Sequence, residues 1–499
     1  MIARLDRLLG RITMYLLVIG LLALIAVVAL LLAFLDVLSI DPLALLASAA
    51  VLIAATAGAN YLLAWIFRTH HHASSGVITA LLLLFVLQPT LDLVGLLGLA
   101  IAAVVAAASK YVIAWRGRHL ANPAAVGALV VGVTGLAFPS WWVGTGPLLP
   151  LVALGALLIL WRTRHLGMGL LYVLVGVGVI VAQFTANGLE FAPAVQAALL
   201  SSPVVFTAGF MLSEPLTLPP RSWQRLALAV VVALLANVHY SFGLSGNTPE
   251  LALVVGGVLA FFLGQRRAIV LELVSRRQLT PTAWEFRFRP VAPVRYRAGQ
   301  YLELTLPQSK PDLAGDRRVF SITSAPGDPE LTIGVRIRDG ASSFKRALLV
   351  LEPGARVRAT GVWGDFTLPR DPDARLAFVA AGIGVTPFVS HLSSLGPRAA
   401  DAELLYAVRA ASDLAYRDEL AETGARVSVL SPDDPGELPA GWTWLGSDEL
   451  TADAVHRAVP DARERHVYLS GSPTDVSALR RALRRAGTRR IRTDVFLGY

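Results

Sequence analysis

Two patterns of apolar and polar residues follow one another along the chain, and they meet at Arg266-Arg267. Before this point the chain consists of almost unbroken apolar runs, many of them long enough to cross a hydrocarbon layer of about 30 Å. After it, apolar and polar residues alternate over short stretches that glycine- or proline-containing turns separate. The pattern therefore predicts an α-helical membrane domain at residues 1–266, followed by soluble domains.

Ten apolar segments are predicted to cross the membrane. They are residues 12–36, 43–67, 76–88, 93–113, 123–139, 147–161, 167–186, 193–211, 226–242 and 250–264. With residue 1 in the cytoplasm, every Lys and Arg of the following loops falls on the inner side, as the positive-inside rule requires. These cations are Arg68, Lys110, Arg116, Arg118, Arg162, Arg164, Arg221, Arg225, Arg266 and Arg267. We therefore expect a multi-pass protein of the cell (inner) membrane, with its N-terminus and its soluble domains in the cytoplasm.

Short motifs recur within the apolar half at offsets near 126 residues. Ser74-Ser75-Gly-Val returns as Ser201-Ser202-Pro-Val, and Asn122-Pro123 returns as Asn247-Thr-Pro249. Because five predicted helices separate the copies, the pattern predicts an inverted repeat, with one copy at residues 12–139 and the other at 147–264. The alternative is that these motifs mark ordinary helix boundaries.

A ligand site is expected where the repeat interrupts its helices. Inverted repeats hold their ligands near the midplane, where broken helices expose backbone groups. The segments 76–88 and 203–213 both stop at a proline and are the predicted location. The candidate residues are Ser75, Thr79, Asn122, Ser213 and Glu214.

The amino-acid composition supports the division into an apolar half and a soluble half, and it excludes several kinds of chemistry. The 499 residues are 55% hydrophobic, yet residues 1–267 carry only thirteen Lys or Arg and seven Asp or Glu. The net charge of +9 follows in part from membrane topology and predicts no nucleic-acid partner. Cysteine is absent, which excludes disulfides, thiolate chemistry and Cys-ligated iron–sulfur clusters.

The pattern of the soluble half predicts two domains. Short alternating runs between residues 267 and 370 predict a small antiparallel β-barrel. From residue 371, apolar strands, glycine-rich turns and amphipathic helices alternate, which predicts a doubly wound α/β domain. The predicted fold class is thus a polytopic α-helical membrane domain fused to a β-barrel and an α/β nucleotide-binding domain.

One six-residue motif in the predicted barrel contains side chains suited to binding a phosphate and a planar heterocycle. In Arg318-Val-Phe320-Ser321-Ile-Thr323, an arginine can bind a phosphate bidentately and an aromatic ring can stack on a planar heterocycle. A small hydroxyl can approach the edge of that heterocycle. The alternative for the motif alone is a charged, β-branched strand.

Further motifs follow in a fixed order. Gly340-Ala-Ser342-Ser343 opens a predicted helix, whose N-terminal N–H groups suit a pyrophosphate. A glycine-rich turn at Gly361-Val-Trp-Gly-Asp-Phe366 closes the barrel. Gly382-Ile-Gly384-Val-Thr386-Pro387 lies between an apolar strand and a helix, so that a dinucleotide can approach its backbone. The later motifs contain Arg409, Ser470, Gly471, Pro473 and Phe496.

Together these motifs resemble a ferredoxin–NADP reductase-type module over residues 268–499. The resemblance implies FAD bound by the barrel at 267–370 and NAD(P)H bound by the α/β domain at 371–499. It implies catalytic roles for Ser321, Ser470 and Phe496, with Phe496 covering the flavin face. Ser470 stands where the family usually has a cysteine beside the nicotinamide, so slower hydride transfer is expected.

The N-terminal half resembles a different family. Ser75-Gly-Val-Ile-Thr79, Asn122-Pro-Ala-Ala and Ser213-Glu214-Pro are similar to segments of related membrane subunits of the Rnf complex and of the sodium-pumping NADH:quinone reductase. The resemblance implies a flavin near helix ends. The covalent attachment motif of those families is missing at Phe184-Thr-Ala-Asn-Gly188, so we expect a non-covalent FMN or riboflavin, or a quinone.

The leading hypothesis is a membrane-bound NAD(P)H dehydrogenase. Electrons pass from cytosolic NAD(P)H through FAD to a flavin or quinone within the lipid bilayer, with a quinone or an extracytoplasmic flavoprotein as final acceptor. One alternative is a haem-containing enzyme resembling ferric reductases or NADPH oxidases; its axial histidines would come from His70, His71, His72, His119, His165 and His239. Another alternative is a transporter whose soluble part senses redox state.

Overall fold

The structure, a computed structural model, describes residues 13–67, 73–115, 118–242, 245–263, 269–306 and 316–496. Several residues considered above lie outside these ranges, so their predicted roles receive no structural account. They are Arg68, His70, His71, His72, Arg116, Arg266 and Arg267. The chain divides into two compact units, residues 12–267 and 268–499.

The N-terminal unit is built from apolar helices. They are α1 (Met14–Phe34), α2 (Pro42–Ile66), α3 (Ala73–Val86), α4 (Leu93–Val112), α5 (Pro123–Thr134), α6 (Leu149–Arg162), α7 (Leu166–Ala186), α8 (Phe191–Leu200), α9 (Val204–Phe206), α10 (Ser222–Asn237) and α11 (Pro249–Leu263). A π-helix, Thr207–Met211, continues α9. Apolar side chains from most of these elements form one buried cluster.

The prediction of ten crossings requires correction. Among the described helices, only α1, α2, α4 and α7 are long and apolar enough to cross a membrane. A fifth span results if α8 and the segment Val204–Met211, which are bent by 54° at their break, count as one. The other apolar helices have 10–17 residues. Segment 123–139, for example, ends its helix at Gly135, whose φ of 71° terminates the helical backbone.

The predicted duplication has a structural counterpart. A two-residue antiparallel ladder pairs β1 (Ala114–Trp115) with β2 (Arg118–His119) shortly before α5. A matching ladder pairs β3 (Ser241–Phe242) with β4 (Ser245–Gly246) shortly before α11. The same local structure thus precedes both helices that the sequence motifs matched, and the repeat stays a prediction.

The first part of the C-terminal unit is a six-stranded antiparallel sheet with the order β8-β7-β10-β5-β6-β9. Its strands are β5 (Ile269–Gln278), β6 (Ala283–Pro290), β7 (Tyr301–Thr305), β8 (Arg317–Ser321), β9 (Leu331–Arg336) and β10 (Arg356–Trp363). Helix α12 (Ser343–Leu349) lies between β9 and β10 in the chain. Alternate strand residues are buried in a separate apolar cluster.

The second part is a six-stranded parallel sheet with the order β14-β13-β12-β11-β15-β16. Its strands are β11 (Leu376–Ala381), β12 (Glu403–Ala407), β13 (Arg426–Leu430), β14 (Trp442–Trp444), β15 (His466–Gly471) and β16 (Ile491–Val495). The helices are α13 (Thr386–Leu395), α14 (Arg417–Glu422), α15 (Ala452–Ala458) and α16 (Pro473–Arg485). Strand order reverses between β11 and β15, and ligands bind at such switch points.

Candidate functional site

The switch point brings two predicted motifs into backbone contact. A Cβ atom on Gly384 would lie 2.5 Å from the carbonyl oxygen of Ser470 and 2.9 Å from Cα of Gly471. Gly382 adopts a φ of 57°, in the left-handed region that favours glycine. Only glycine therefore allows the turn after β11 to approach the C-terminal end of β15 this closely, and their backbone borders the expected dinucleotide site.

Phe496 is held at the same place. Strand β16 pairs with β15 in parallel, and the Phe496 N–H donates to the carbonyl of Gly471 at 2.9 Å. The hydroxyl of Ser470 is buried and has no hydrogen-bond partner among the described residues. A buried hydroxyl is ordinarily hydrogen-bonded, so a polar group of a ligand is the partner that this position fits.

The start of α13 completes this edge of the sheet. A short 3₁₀ turn, Gly382–Val385, leads into the helix, and the Thr386 hydroxyl donates to the carbonyl of Ile383 at 3.0 Å. Pro387 occupies the first turn, where its missing N–H costs no hydrogen bond. Pro473 has the same role at the start of α16, directly after Gly471 and Ser472. Both loops are therefore fixed locally by sequence.

A cluster of cations lies at the end of β9 and the start of α12. Burial and the charges of Arg336, Arg318 and Arg338 lower the pKa of Lys345 to about 8. Burial and the charges of Arg338 and Arg409 lower the pKa of Arg336, which Asp413 partly offsets. Arg336 Nη1 lies 3.5 Å from the position of a Cβ on Gly382. The predicted Arg318 and Arg409 thus belong to one site of excess positive charge beside the glycine loop.

The predicted flavin motif adjoins this cluster. The Arg318 guanidinium is buried and lies 5.3 Å from the ring centre of Phe344, which is 5.8 Å from that of Phe320. Ser321 pairs with Tyr301 across β7 and β8. The predicted helix after Gly340 is α12, and Ser342 caps it by accepting from the N–H of Lys345 at 3.4 Å. Ser343 is its first residue.

Two predicted cofactor-binding residues have partners within the protein. The Thr323 hydroxyl lies 2.6 Å from that of Thr332, and both are buried. The Phe366 ring packs among Phe388, His391 and Tyr468, with centroid distances of 5.3–5.8 Å. Their roles in holding a cofactor stay predictions.

The arrangement fits FAD and NAD(P)H on three counts. Cations outnumber the acids beside them in the described part of this site, and a diphosphate supplies the missing negative charge. The glycine contacts leave a backbone cradle, and Ser470 offers a buried hydroxyl. Sequence reasoning missed Arg336, Arg338 and Lys345. The signal was present, because Arg336 and Arg338 end the alternating β9 run and Lys345 is three residues from Ser342.

In the N-terminal unit, Lys110 connects the predicted membrane-site residues. Its Nζ donates to the hydroxyl and carbonyl oxygens of Ser75 at 3.1 and 3.3 Å and to the hydroxyl of Thr79 at 3.1 Å. The Glu214 carboxylate lies within electrostatic range of the same ammonium group. The positive-inside pattern predicts Lys110 as a charge on the inner side, and the structure places its ammonium group inside a polar cluster.

The other two candidates lie on either side of the π-helix end. The Asn122 side chain caps α5 through the N–H of Ala125 and donates to the carbonyl of Met211 at 3.4 Å. The Ser213 hydroxyl donates to the carbonyl of Gly209 at 2.6 Å. Residues from both proposed repeats therefore meet here, and π-turns are frequent at functional sites.

Comparisons with known proteins match the C-terminal unit. The chain is 28% identical over 224 residues to a stachydrine N-demethylase reductase subunit of Rhizobium meliloti, covering 43% of the chain and 62% of the relative. It is 39% identical over 155 residues to ferredoxin–NADP reductase B of Sorangium cellulosum, covering 30% and 62%. A solved cytochrome P450 reductase of Amycolatopsis shares 27% identity with a TM-score of 0.38, covering 46% of this chain and 70% of that one.

The fold and these relatives define a class. The C-terminal region resembles FAD- and NAD-binding reductases of the ferredoxin–NADP reductase type, and the prediction of an NAD(P)H-dependent oxidoreductase is supported. The chain spans less than two thirds of the length of these curated relatives. No family model matches the chain. The resemblance of the N-terminal half to membrane proteins of the Rnf complex and the sodium-pumping reductase finds no support among these relatives.

Proposed function

We propose that the chain is an NAD(P)H-dependent flavin oxidoreductase that passes electrons from a cytosolic nicotinamide cofactor to an acceptor held in the membrane. The observation that carries the first step is the switch point, where Gly382, Gly384 and Ser470 meet beside a cluster of five cations. When bound, FAD accepts hydride from NAD(P)H and releases electrons one or two at a time.

The residues of the chain supply binding and orientation. Arg318 and Lys345 would hold the flavin diphosphate, and Arg336 and Arg409 would hold the dinucleotide at the glycine loop. Ser470 would orient the nicotinamide through its unpartnered hydroxyl, and Phe496, which directly follows β16, would cover the site. Coenzyme choice depends on Arg409, which is exposed and suits a 2′-phosphate.

The proposed acceptor site is the polar cluster around Lys110. An ionisable residue inside an apolar helical unit is expensive to bury, so it is a functional-site hypothesis by default. Ser75 and Thr79 of α3 accept hydrogen bonds from Lys110 of α4, and the Glu214 carboxylate lies within electrostatic range of the same ammonium group. A non-covalent flavin or a quinone has carbonyl oxygens that Lys110 and Asn122 can bind.

Identification of the released flavins tests this function. The purified full chain is denatured, and its flavins are separated and identified. FAD together with FMN or riboflavin supports a flavin relay, and FAD alone supports direct reduction of a quinone or partner. Absence of FAD refutes the proposal, and a pyridine-haemochrome signal replaces it with the haem-dependent alternative.

FAD affinity is expected to fall as the pH rises above about 8. The ligand-free pKa of Lys345 is lowered to about 8 by burial and neighbouring cations, so its ammonium charge is fully present below that pH and is lost above it. A bound diphosphate favours the charged form. Titration of the FAD-free protein with FAD between pH 7 and 10 checks this. Lys345→Gln is expected to bind FAD more weakly and to lose the dependence, whereas the exposed neighbour Arg346→Gln retains it.

Lys110→Met is expected to separate two activities. Ferricyanide takes electrons from the flavin in water, so its reduction is expected to stay near the wild-type rate. Reduction of a quinone in proteoliposomes is expected to fall about 10- to 100-fold, as for a lost charge-assisted hydrogen bond. Thr163→Val is the control, because among the described residues that hydroxyl bonds to carbonyls of α6 alone. Equal loss of both activities would contradict a role confined to the acceptor site.

A further inference from the structure

One face of α16 and the turn that follows it carries six arginines. They are Arg480, Arg481, Arg484, Arg485, Arg489 and Arg490, here called the α16 basic face. The opposite face buries Val476, Leu479 and Leu483 against the sheet. All six except the half-buried Arg480 are exposed. The helix is thus amphipathic, with a cationic side that its own packing does not use.

The charges of this face are not neutralised within the described part of the chain. None of the six arginines forms an ion pair with a described residue, and no acid occurs between Asp475 and Asp494. Elsewhere in the same unit, exposed arginines pair with carboxylates, as for Arg289, Arg356 and Arg426. Spacings of three and four residues place these like charges side by side. An anionic partner is what relieves that repulsion.

The face has a feature suited to a phosphate group. Ser477, Arg480, Arg481 and Arg484 line a recess of about 270 Å³. Arg480 is one of these lining residues, and its Nε–H is buried and has no hydrogen-bond partner among the described residues. Guanidinium groups bind phosphates through paired N–H donors. The recess is therefore lined by one hydroxyl-bearing residue and three arginines.

We propose that the α16 basic face binds the anionic phospholipid headgroups of the membrane surface. Clusters of roughly four to eight Lys or Arg on an amphipathic helix are typical of such binding. Residues 477–492 contain no aromatic side chain, which removes the stacking that favours single-stranded nucleic acid. The proposal rests on the proposed membrane function, because a bilayer is then close to every copy of the chain.

The absence of cysteine from the chain makes a specific label possible. The full-length Ala478→Cys variant, whose exposed position lies outside the recess, is labelled with a fluorophore. It is reconstituted into vesicles of phosphatidylcholine with or without phosphatidylglycerol, both containing a headgroup-attached quencher. Quenching is expected with phosphatidylglycerol and is expected to weaken with salt. A second variant combines the label with three substitutions on the α16 basic face: Arg481→Gln, Arg484→Gln and Arg485→Gln. At low salt, its ratio of quenched to unquenched label is expected to be roughly a hundredfold lower, because each arginine contributes about fivefold.

A matched triple variant is the control. Arg289→Gln, Arg356→Gln and Arg426→Gln remove the same net charge from other faces and are expected to leave the quenching unchanged. Equal quenching with and without phosphatidylglycerol overturns the proposal. Protection of the label by a soluble acceptor protein or by duplex DNA, without a response to lipid charge, assigns the face to that partner and also overturns it.

Flotation separates this proposal from the membrane function. If the chain floats with pure phosphatidylcholine vesicles, the proposed membrane function stands, even when the quenching experiment overturns the lipid-binding role of the α16 basic face. If the chain does not float, the membrane function fails, and the labelled chain is mixed with preformed phosphatidylglycerol vesicles. Binding that the three glutamine substitutions abolish then still supports the lipid assignment, and its absence overturns it.

Discussion

Arg318→Gln is expected to lower the affinity for FAD by about 10- to 100-fold, the cost of losing hydrogen bonds from a charged donor. The guanidinium is buried beside Phe344, and it contributes to the charge that lowers the pKa of Lys345. Because it is fixed before the ligand arrives, little ordering opposes its contact with a diphosphate. Fluorescence titration of the FAD-free protein measures the effect.

Arg317→Gln is the matched control on the same strand. The Arg317 side chain is directed to Glu303, with a distance of 3.9 Å between Nη1 and Oε2. Its loss is therefore expected to change FAD affinity by less than about threefold, as for a half-buried ion pair near the surface. Equal weakening by both substitutions would show that net charge, and not the position of Arg318, determines binding.

Gly384→Ala is expected to lower kcat/KM for the nicotinamide cofactor about 100-fold, because a displacement of about 1 Å at a reacting group has that effect. The new Cβ would lie 2.5 Å from the Ser470 carbonyl oxygen and 2.7 Å from its carbon. Both neighbours are backbone atoms at the ends of paired strands, so they cannot move alone. Overpacking of this kind also costs about 1–3 kcal/mol of unfolding free energy. Steady-state kinetics with ferricyanide and thermal unfolding measure the two effects.

Gly354→Ala separates loss of stability from loss of function. Gly354 has a φ of 87°, and a Cβ there would meet no atom within 4 Å. In Gly354→Ala, backbone strain alone is expected to lower the free energy of unfolding by about 1–2 kcal/mol, and kcat/KM is expected to be unchanged. A normal kcat/KM in Gly384→Ala would remove the glycine contact from the proposed site.

Local chemistry in the sequence predicted much of this protein. The periods of apolar residues separated the helical unit from the strands, since a buried face repeats every two residues in a strand and every three to four in a helix. Glycine, proline and capping residues marked element ends, as at Asn122 before α5 and Ser342 before α12. The order of motifs identified the class of the C-terminal unit.

The number of membrane spans was less predictable. Apolar composition shows that a segment avoids water, but it does not show where a helix stops. Segment 193–211 reads as one span, yet its helices are broken and bent by 54°. Only the tertiary structure shows whether neighbouring segments satisfy the backbone groups that such a break exposes.

The sequence by itself determined the two kinds of unit, the order of the domains and most residues of the glycine and flavin motifs. Only the tertiary structure decided which distant residues meet: Gly384 with Ser470, Lys345 with Arg336, and Lys110 with Ser75. The physical reason is how far apart along the chain the interacting residues lie. Helix and strand patterns follow from neighbours along the chain, whereas strand order and helix packing bring together residues whose separation in sequence carries no signal of contact.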